Sequence, residues 1–104
     1  MIQTVLTYDL VPGADQSAYL AWARNAIGIT MKQPGLIEFR AHRNMLGTPQ
    51  FRTTTEWQSM ADVEKMLLGA WQPIEAELRT MATNIRWEYW GPSPVVPEPL
   101  RPGK

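Results

Sequence analysis

Few residue types in this chain could do chemistry, and His42 and Tyr8 are the first two to consider. His42 is the only histidine, and an imidazole pKa of about 6.5 would suit a general base. It stands close to Arg40 and Arg43, so a solvated edge among cations is the alternative location. The Tyr8 hydroxyl could bind a phenolate or relay a proton. The alternative is a core tyrosine whose hydroxyl is satisfied within the protein, and both alternatives stay open.

A second group of candidates alternates along one predicted strand, and its members are Phe51, Thr53, Thr55 and Trp57. Alternation places them on one face, where aromatic and hydroxyl groups together suit a planar, oxygenated ligand. Arg52 and Glu56 lie on the opposite face and are secondary pocket candidates, with an ion pair as the alternative. Polar residues facing helices would be unusual, so a β-bulge could exchange the two faces. The sequence leaves open which set faces the pocket.

Composition excludes several classes of site. There is no cysteine, which excludes disulfides, thiolate nucleophiles and cysteine-based zinc sites, and with one histidine no metal site is expected. Acidic and basic residues number ten each, which argues against nucleic acid or an anionic membrane as a partner. A cysteine-free chain suits the cytoplasm, and the first residues do not resemble a signal peptide.

The hydrophobic pattern predicts four strands and two helices. Strands are expected at residues 2–10, 36–44, 50–57 and 84–90, where β-branched and aromatic residues are frequent. A first helix is expected from Asp15 to about residue 32, with Leu20, Ile27 and Met31 on its apolar side. A second begins after Ser59 and runs to Met81. The order β-α-β-β-α-β predicts an α+β ferredoxin-like fold with a four-stranded antiparallel sheet.

Pro73 should interrupt the second helix. Its ring would clash with the carbonyl group of Gly69, so a kink or break is expected near residues 69–73. Trp71 lies at this break, and a helix break beside a pocket can form its lid. Trp22 on the first helix is expected in the core.

Two helices can cover only one face of a four-stranded sheet. The other face is expected to carry apolar and aromatic groups, so a second copy of the chain should cover it, giving a homodimeric barrel around a ligand pocket. Residues 1–91 are expected to form this domain. Residues 92–104 are rich in proline and are expected to form an extended tail.

Three short motifs carry a resemblance to a known family. They are Pro34-Gly35-Leu36-Ile37, Glu56-Trp57-Gln58-Ser59 and Gly69-Ala70-Trp71-Gln72-Pro73. With the predicted element order, residues 2–90 resemble the antibiotic biosynthesis monooxygenase family of the dimeric α/β-barrel superfamily. The resemblance implies a cofactor-free oxygenase, in which a phenol or anthrone loses a proton and its carbanion reacts directly with O2.

The resemblance also implies roles for single residues. Trp57 matches a pocket tryptophan, and Thr53 occupies the place of an asparagine in the anthrone oxygenases. The haem-degrading relatives need an asparagine and a histidine at the places of Leu6 and Leu67, so haem is not expected. The predicted catalytic residues are Trp57, Thr53, Tyr8 and His42. The predicted substrate-binding residues are Arg40, Phe51, Arg52, Thr55, Glu56, Leu67 and Trp71.

The sequence therefore predicts a cofactor-independent monooxygenase that acts on an aromatic or polyketide-like small molecule. One alternative is a cyclase or isomerase that uses the same pocket without O2. The other is a non-catalytic small-molecule-binding or stress-related dimer. Substrate identity does not follow from the sequence.

Overall fold

A computed structural model describes residues 1–103 and shows one four-stranded antiparallel sheet with three helices. The elements are β1 (Ile2–Leu10), α1 (Gln16–Thr30), β2 (Leu36–Arg43), β3 (Phe51–Trp57), α2 (Met60–Leu68), α3 (Trp71–Leu78) and β4 (Ala82–Trp90). The strand order is β2-β3-β1-β4, so the two central strands are the first and third in the chain. The predicted ferredoxin-like fold is confirmed.

Helix α1 begins where the sequence predicted. The Asp15 side chain accepts hydrogen bonds from the backbone N–H groups of Ser17 and Ala18 at 2.9 and 3.2 Å, which satisfies two donors of the first turn. Tyr19, Trp22 and Ala26 form the buried face of α1. The predicted core location of Trp22 is therefore confirmed.

The predicted apolar side of α1 is wrong for three residues. Leu20, Ile27 and Met31 are 50, 39 and 58% exposed. The helix is rolled so that its aromatic residues pack against Tyr8 of β1, because rings bury more apolar area than aliphatic side chains do.

The predicted break in the second helix is confirmed. Helix α2 ends at Leu68, and α3 begins at Trp71 after Gly69 and Ala70. Pro73 is the third residue of α3, where a backbone N–H would have no partner within the helix. The chain therefore accommodates Pro73 by starting a new helix. The second piece also ends earlier than expected, at Leu78, and β4 starts two residues sooner, at Ala82.

Gly35 fixes the junction where β2, β3 and α2 meet. Its φ of +85° lies in the left-handed region, and its carbonyl accepts the Gln58 N–H at 2.9 Å. A Cβ atom at this position would collide with the Asp62 side chain, which bonds to the N-cap residue Ser59. The Pro-Gly motif thus holds the end of β3, and with it Trp57, against the start of α2.

The two faces of the sheet differ in composition. One face, called the helix face, carries Thr4, Leu6 and Tyr8 of β1 and Thr53, Thr55 and Trp57 of β3, which pack under the helices or line the cavity there. The register between β1 and β3 is continuous, so the bulge considered for β3 is absent, and bulges occur at Leu36/Glu38 and Thr7/Asp9 instead.

The other face, called the open face, has no helix over it. It carries Arg52, Thr54 and Glu56 of β3 and mostly polar residues of the other strands, with Val5 and Trp90 as the apolar exceptions. The expectation of an apolar open face is therefore wrong. The aromatic and small residues of β1 and β3 share the helix face, which leaves the charged residues on the other.

No helix within residues 1–103 is long and apolar enough to cross a membrane. Residues 91–103 contain no helix or strand, and Val95 and Leu100 in this segment are 85 and 80% exposed. Lys104, the last residue of the predicted tail, lies outside the described residues.

Candidate functional site

A cavity of about 150 Å³ lies between the helix face of the sheet and the three helices. Its walls include Leu6, Tyr8, Thr53, Thr55 and Trp57 from the sheet and Trp22, Leu67 and Trp71 from the helices. Ile27 of α1 and Ala41 of β2 also line it and are exposed to solvent. The cavity therefore opens between α1 and the edge strand β2.

This location corrects the expectation of a pocket between two paired sheets. The cavity is built within one chain, because the side chains predicted to line a barrel point toward the chain's own helices. It brings together Trp57, Thr53, Tyr8 and Thr55 with Leu67 and Trp71. Phe51 packs against the rings of Tyr8 and Tyr19, with centroids 5.5 and 5.2 Å away, and supports the site from behind.

The charged candidates lie on the opposite side of the sheet. His42 and Arg52 are cross-strand neighbours in a groove of the open face, and Arg40 pairs with Glu38 at 2.8 Å there. That hydrogen bond lowers the pKa of the Glu38 carboxyl. Glu56 shares the same face. The strand alternation that gathers the hydroxyl and aromatic groups keeps these residues away from Trp57.

Aromatic side chains form a continuous wall of the cavity. Ring centroids are 6.2 Å apart for Tyr8 and Trp22, 6.3 Å for Trp22 and Trp71, and 5.4 Å for Trp71 and Trp87, all in edge-on arrangements. Edge-on contacts between large rings hold each ring in place. The wall is therefore preorganised for a flat apolar ligand.

Tyr8 and Tyr19 form a hydrogen-bonded pair of hydroxyls, 2.6 Å apart. Burial raises the pKa of both groups, and for Tyr8 the hydrogen bond with Tyr19 raises the pKa further. Both phenols are therefore neutral at neutral pH and cannot act as bases. The pair has two O–H groups and uses one between them, so it retains one proton to donate elsewhere.

Three residues form a second hydrogen-bonded chain. The Trp57 Nε1–H donates to Thr55 Oγ1 at 2.7 Å, and the Thr55 hydroxyl bonds to the Thr4 hydroxyl on the neighbouring strand. The two threonines have two hydroxyl protons and use one in the hydrogen bond between them. The Thr4–Thr55 pair therefore also retains one O–H donor. The Trp57 ring is locked in its orientation at the cavity wall.

Thr53 differs from the other hydroxyl groups at the cavity. Within residues 1–103 its hydroxyl makes no hydrogen bond, whereas those of Thr4, Thr30 and Thr55 are all engaged. Thr53 is half-buried and lies between Leu6 and Ala41 on the neighbouring strands. Among the hydroxyl groups of residues 1–103 that line the cavity, it alone makes no hydrogen bond, so it can both donate to and accept from a ligand.

Glu75 supports the site from outside the cavity, and the sequence reasoning missed it. One oxygen, Oε1, accepts the Nε1–H groups of Trp87 at 2.9 Å and Trp71 at 3.3 Å, and the other bonds to Arg79 at 3.2 Å. Burial tends to raise the pKa of Glu75, but these three hydrogen bonds outweigh it and hold the pKa below its ordinary value. The spacing of Trp71 and Glu75, one helical turn apart, was the available signal.

Tyr19 was also missed, although it makes the closest polar contact with Tyr8. Within the part of the chain described, no group of three or more histidine, cysteine, aspartate or glutamate residues is placed to hold a metal ion.

Comparison with known proteins adds the family. A search of curated proteins finds no match. The structure is similar to the cofactor-independent oxygenase SnoaB of Streptomyces nogalater, with a TM-score of 0.75 and 13% identity over 93% of this chain and 97% of SnoaB. It is also similar to a hypothetical Arabidopsis thaliana protein, with a TM-score of 0.77 and 9% identity over 88% of each chain. A third similar structure is a conserved protein of Methanosarcina mazei, with a TM-score of 0.74 and 13% identity over 86% of this chain and 89% of that protein.

At these identities the likeness of structure shows the fold alone. The sequence itself gives the family, because a profile described as "Antibiotic biosynthesis monooxygenase" matches residues 1–67, more than half of the chain. With the cavity on the helix face and the fold both in place, the chain belongs to the antibiotic biosynthesis monooxygenase family.

Proposed function

We propose that this protein is a cofactor-independent monooxygenase that acts on a small aromatic, polyketide-like molecule in the helix-face cavity. The observation that carries the proposal is the cavity itself. It is lined by aromatic side chains, and the Thr53 hydroxyl in it has no hydrogen-bond partner within residues 1–103. Family membership supports the reaction class.

The size of the cavity limits the ligand. An apolar cavity of about 150 Å³ holds a molecule about the size of benzene. One aromatic ring therefore fits the cavity as it stands. A fused-ring substrate would extend through the mouth beside Ile27 and Ala41, or would displace α3 about the Gly69–Ala70 link.

The available polar groups determine the chemistry. Thr53, the tyrosine pair and the Thr4–Thr55 pair each have an O–H to donate, and no carboxylate or imidazole of residues 1–103 lines the cavity. Such donors stabilise an oxygen that becomes negative, as in a phenolate or enolate. The substrate proton would pass to water at the mouth, so a substrate with an acidic proton is favoured.

The reaction must balance without an added reductant. A ring CH2 group beside a carbonyl loses one proton to give a carbanion, which O2 attacks at carbon. One oxygen atom stays as a new carbonyl group and the other leaves as water, with both C–H electron pairs consumed. Exclusion of water from the cavity protects the carbanion before O2 arrives.

The test is O2 uptake by the purified protein with anthrones, naphthols and quinols, with the product identified by mass. The proposal predicts one O2 consumed per carbonyl formed. It also predicts slower turnover in Trp57→Phe, because this variant loses the N–H bond to Thr55 that fixes the aromatic ring at the cavity wall. Absence of both binding and O2 uptake across all these substrates would contradict it.

A cyclase or isomerase is the second candidate, and the absence of a base at the cavity favours it. Donors without a base suit the polarisation of a carbonyl group in a substrate that already carries its nucleophile. Product formed under anaerobic conditions would identify this reaction and exclude the oxygenase.

A further inference from the structure

Helix α3 forms the wall of the cavity that begins at the helix break. Ala70 makes no side-chain hydrogen bond to cap this helix, and Gly69 before it has a φ of −115° and a ψ of −102°, outside the helical region. Two other walls are held more firmly, because Asp15 caps α1 and β2 is hydrogen-bonded to β3. The start of α3 is therefore easier to displace than α1 or β2.

Glu75 connects this helix to the sheet. Its Oε1 atom accepts the Nε1–H of Trp87 at 2.9 Å, and Trp87 belongs to β4, where it lies opposite Leu6 of β1. The same oxygen accepts the Nε1–H of Trp71, the first residue of α3, at 3.3 Å. Arg79 holds the other carboxylate oxygen at 3.2 Å. One oxygen atom thus joins an indole of the helix to an indole of the sheet.

The remaining polar contacts of α3 lead to other helices. The Trp22 Nε1–H of α1 donates to the Ile74 carbonyl group at 2.8 Å, and the Gln72 side-chain amide donates to the Leu67 carbonyl group of α2. Within residues 1–103, no side chain of α3 other than Glu75 makes a hydrogen bond to the sheet. Glu75 is therefore the polar contact that fixes α3 against the sheet.

We propose that Glu75 is a positioning residue that sets the size of the largest ligand, because it holds Trp71 and the start of α3 against the cavity. The inference rests on the proposed function for the place where the ligand binds. A one-ring phenol fits the cavity of about 150 Å³ while α3 stays in place. A fused-ring phenol binds only where α3 is displaced, so its affinity is reduced by the small fraction of molecules in that state.

Loss of the Glu75 carboxylate should increase that fraction. A charged oxygen makes stronger hydrogen bonds than a neutral one, and both indole N–H groups depend on it. Trp71 is only 7% exposed, so without Glu75 its N–H can reach water only if the ring moves outward. The displaced state of α3 satisfies this N–H group, whereas the closed state would leave it without an acceptor.

Calorimetric titration of the full chain with phenol and 2-naphthol tests the proposal, under nitrogen so that no O2 reacts. The two probes carry the same hydroxyl group and differ by one fused ring. Glu75→Leu keeps most of the side-chain bulk and removes both acceptor oxygens. It should bind 2-naphthol about tenfold more tightly than the wild type and phenol within about threefold, because only the larger ligand needs the displaced helix. A residue with a purely structural role would weaken the binding of both.

Two further variants sharpen the comparison. Glu75→Gln keeps a carbonyl oxygen that can accept both indole N–H groups, so it should bind 2-naphthol less tightly than Glu75→Leu does. Glu77→Leu is the matched control, since Glu77 is exposed on the same helix, and it should leave both affinities unchanged. Glu75→Ala, which suits a helix, repeats the test if Glu75→Leu fails to fold.

Amide hydrogen exchange without ligand gives a second measurement that does not depend on the reaction. Exchange in α3 should be about tenfold faster in Glu75→Leu than in the wild type, whereas exchange in α1 should be unchanged. Equal rates in α3 would show that Glu75 does not hold the helix in place, and would overturn the proposal.

Three binding results would also overturn it. If Glu75→Leu binds 2-naphthol as the wild type does, the second ring leaves through the mouth beside Ile27 and Ala41 instead. If Glu75→Leu loses affinity for both probes, Glu75 only supports the fold. Both of these results leave the proposed function intact. A wild-type protein that binds neither probe contradicts the proposed function as well as the role of Glu75.

Discussion

The two faces of the sheet are built from the same strands but meet different requirements. The helix face groups hydroxyl and aromatic residues in hydrogen-bonded pairs around a cavity, and within residues 1–103 Thr53 is the one threonine of that cavity whose hydroxyl makes no hydrogen bond. The open face groups charged residues, and within residues 1–103 Arg40 and Glu38 form its one ion pair. Thr53 and Thr54 are adjacent in sequence and belong to opposite faces. Alternation along one strand therefore separates a cavity lined by aromatic and hydroxyl groups from a surface of charged side chains.

The largest expected difference between the faces is in stability. Leu78→Ala removes a side chain with no exposed area beneath the helix face, so it should lower the free energy of unfolding by about 2–5 kcal/mol. Gln3→Ala, an exposed position on the open face, should change it by less than about 0.5 kcal/mol. Urea unfolding followed by tryptophan fluorescence measures both. Equal losses would mean that the open face is as tightly packed as the helix face.

The junction at Gly35 should be the next most sensitive point. Gly35→Ala forces a left-handed backbone on an L-residue and drives its Cβ into Asp62, so we expect a loss of about 1–3 kcal/mol. Thermal unfolding checks this. A variant as stable as the wild type would show that the β2–α2 contact relaxes without cost.

Glu75 should make the helix face sensitive to acid. Its pKa is lowered in the folded protein, so its stabilising effect is present above about pH 4.5, the ordinary value, and is lost as the pH falls through the lowered pKa. Glu75→Gln should cost about 1 kcal/mol at neutral pH. The difference between variant and wild type should shrink as the pH falls toward 3, and a constant difference in urea unfolding would contradict the assignment.

The sequence predicted the element order, the helix break at residues 69–73 and the shared face of Thr53, Thr55 and Trp57, because these follow from local periodicity and proline geometry. It did not predict which side that face occupies. Alternation along a strand divides the side chains into two sets, but only the packing of the elements determines which set lies under the helices. Here the set that contains Tyr8 and Trp57 lies under the helices, because these large rings must be buried.

The supporting groups were harder to predict for a different reason. Glu75 acts through Trp87, which is 12 positions further along the chain, and Tyr19 acts through Tyr8, on another element. Such contacts depend on how elements pack. His42 was predicted to be catalytic from its residue type alone. Its position on β2 places its side chain on the open face, away from the cavity.

The most direct test of the account compares the same substitution on the two faces. Thr53→Val and Thr54→Val each replace a hydroxyl with a methyl group, and binding of a one-ring phenol is measured by quenching of tryptophan fluorescence. The account predicts about a fivefold to tenfold loss of affinity for Thr53→Val, about 1 kcal/mol for one hydrogen bond, and no change for Thr54→Val. Equal effects, or a loss confined to Thr54→Val, would contradict a ligand site on the helix face.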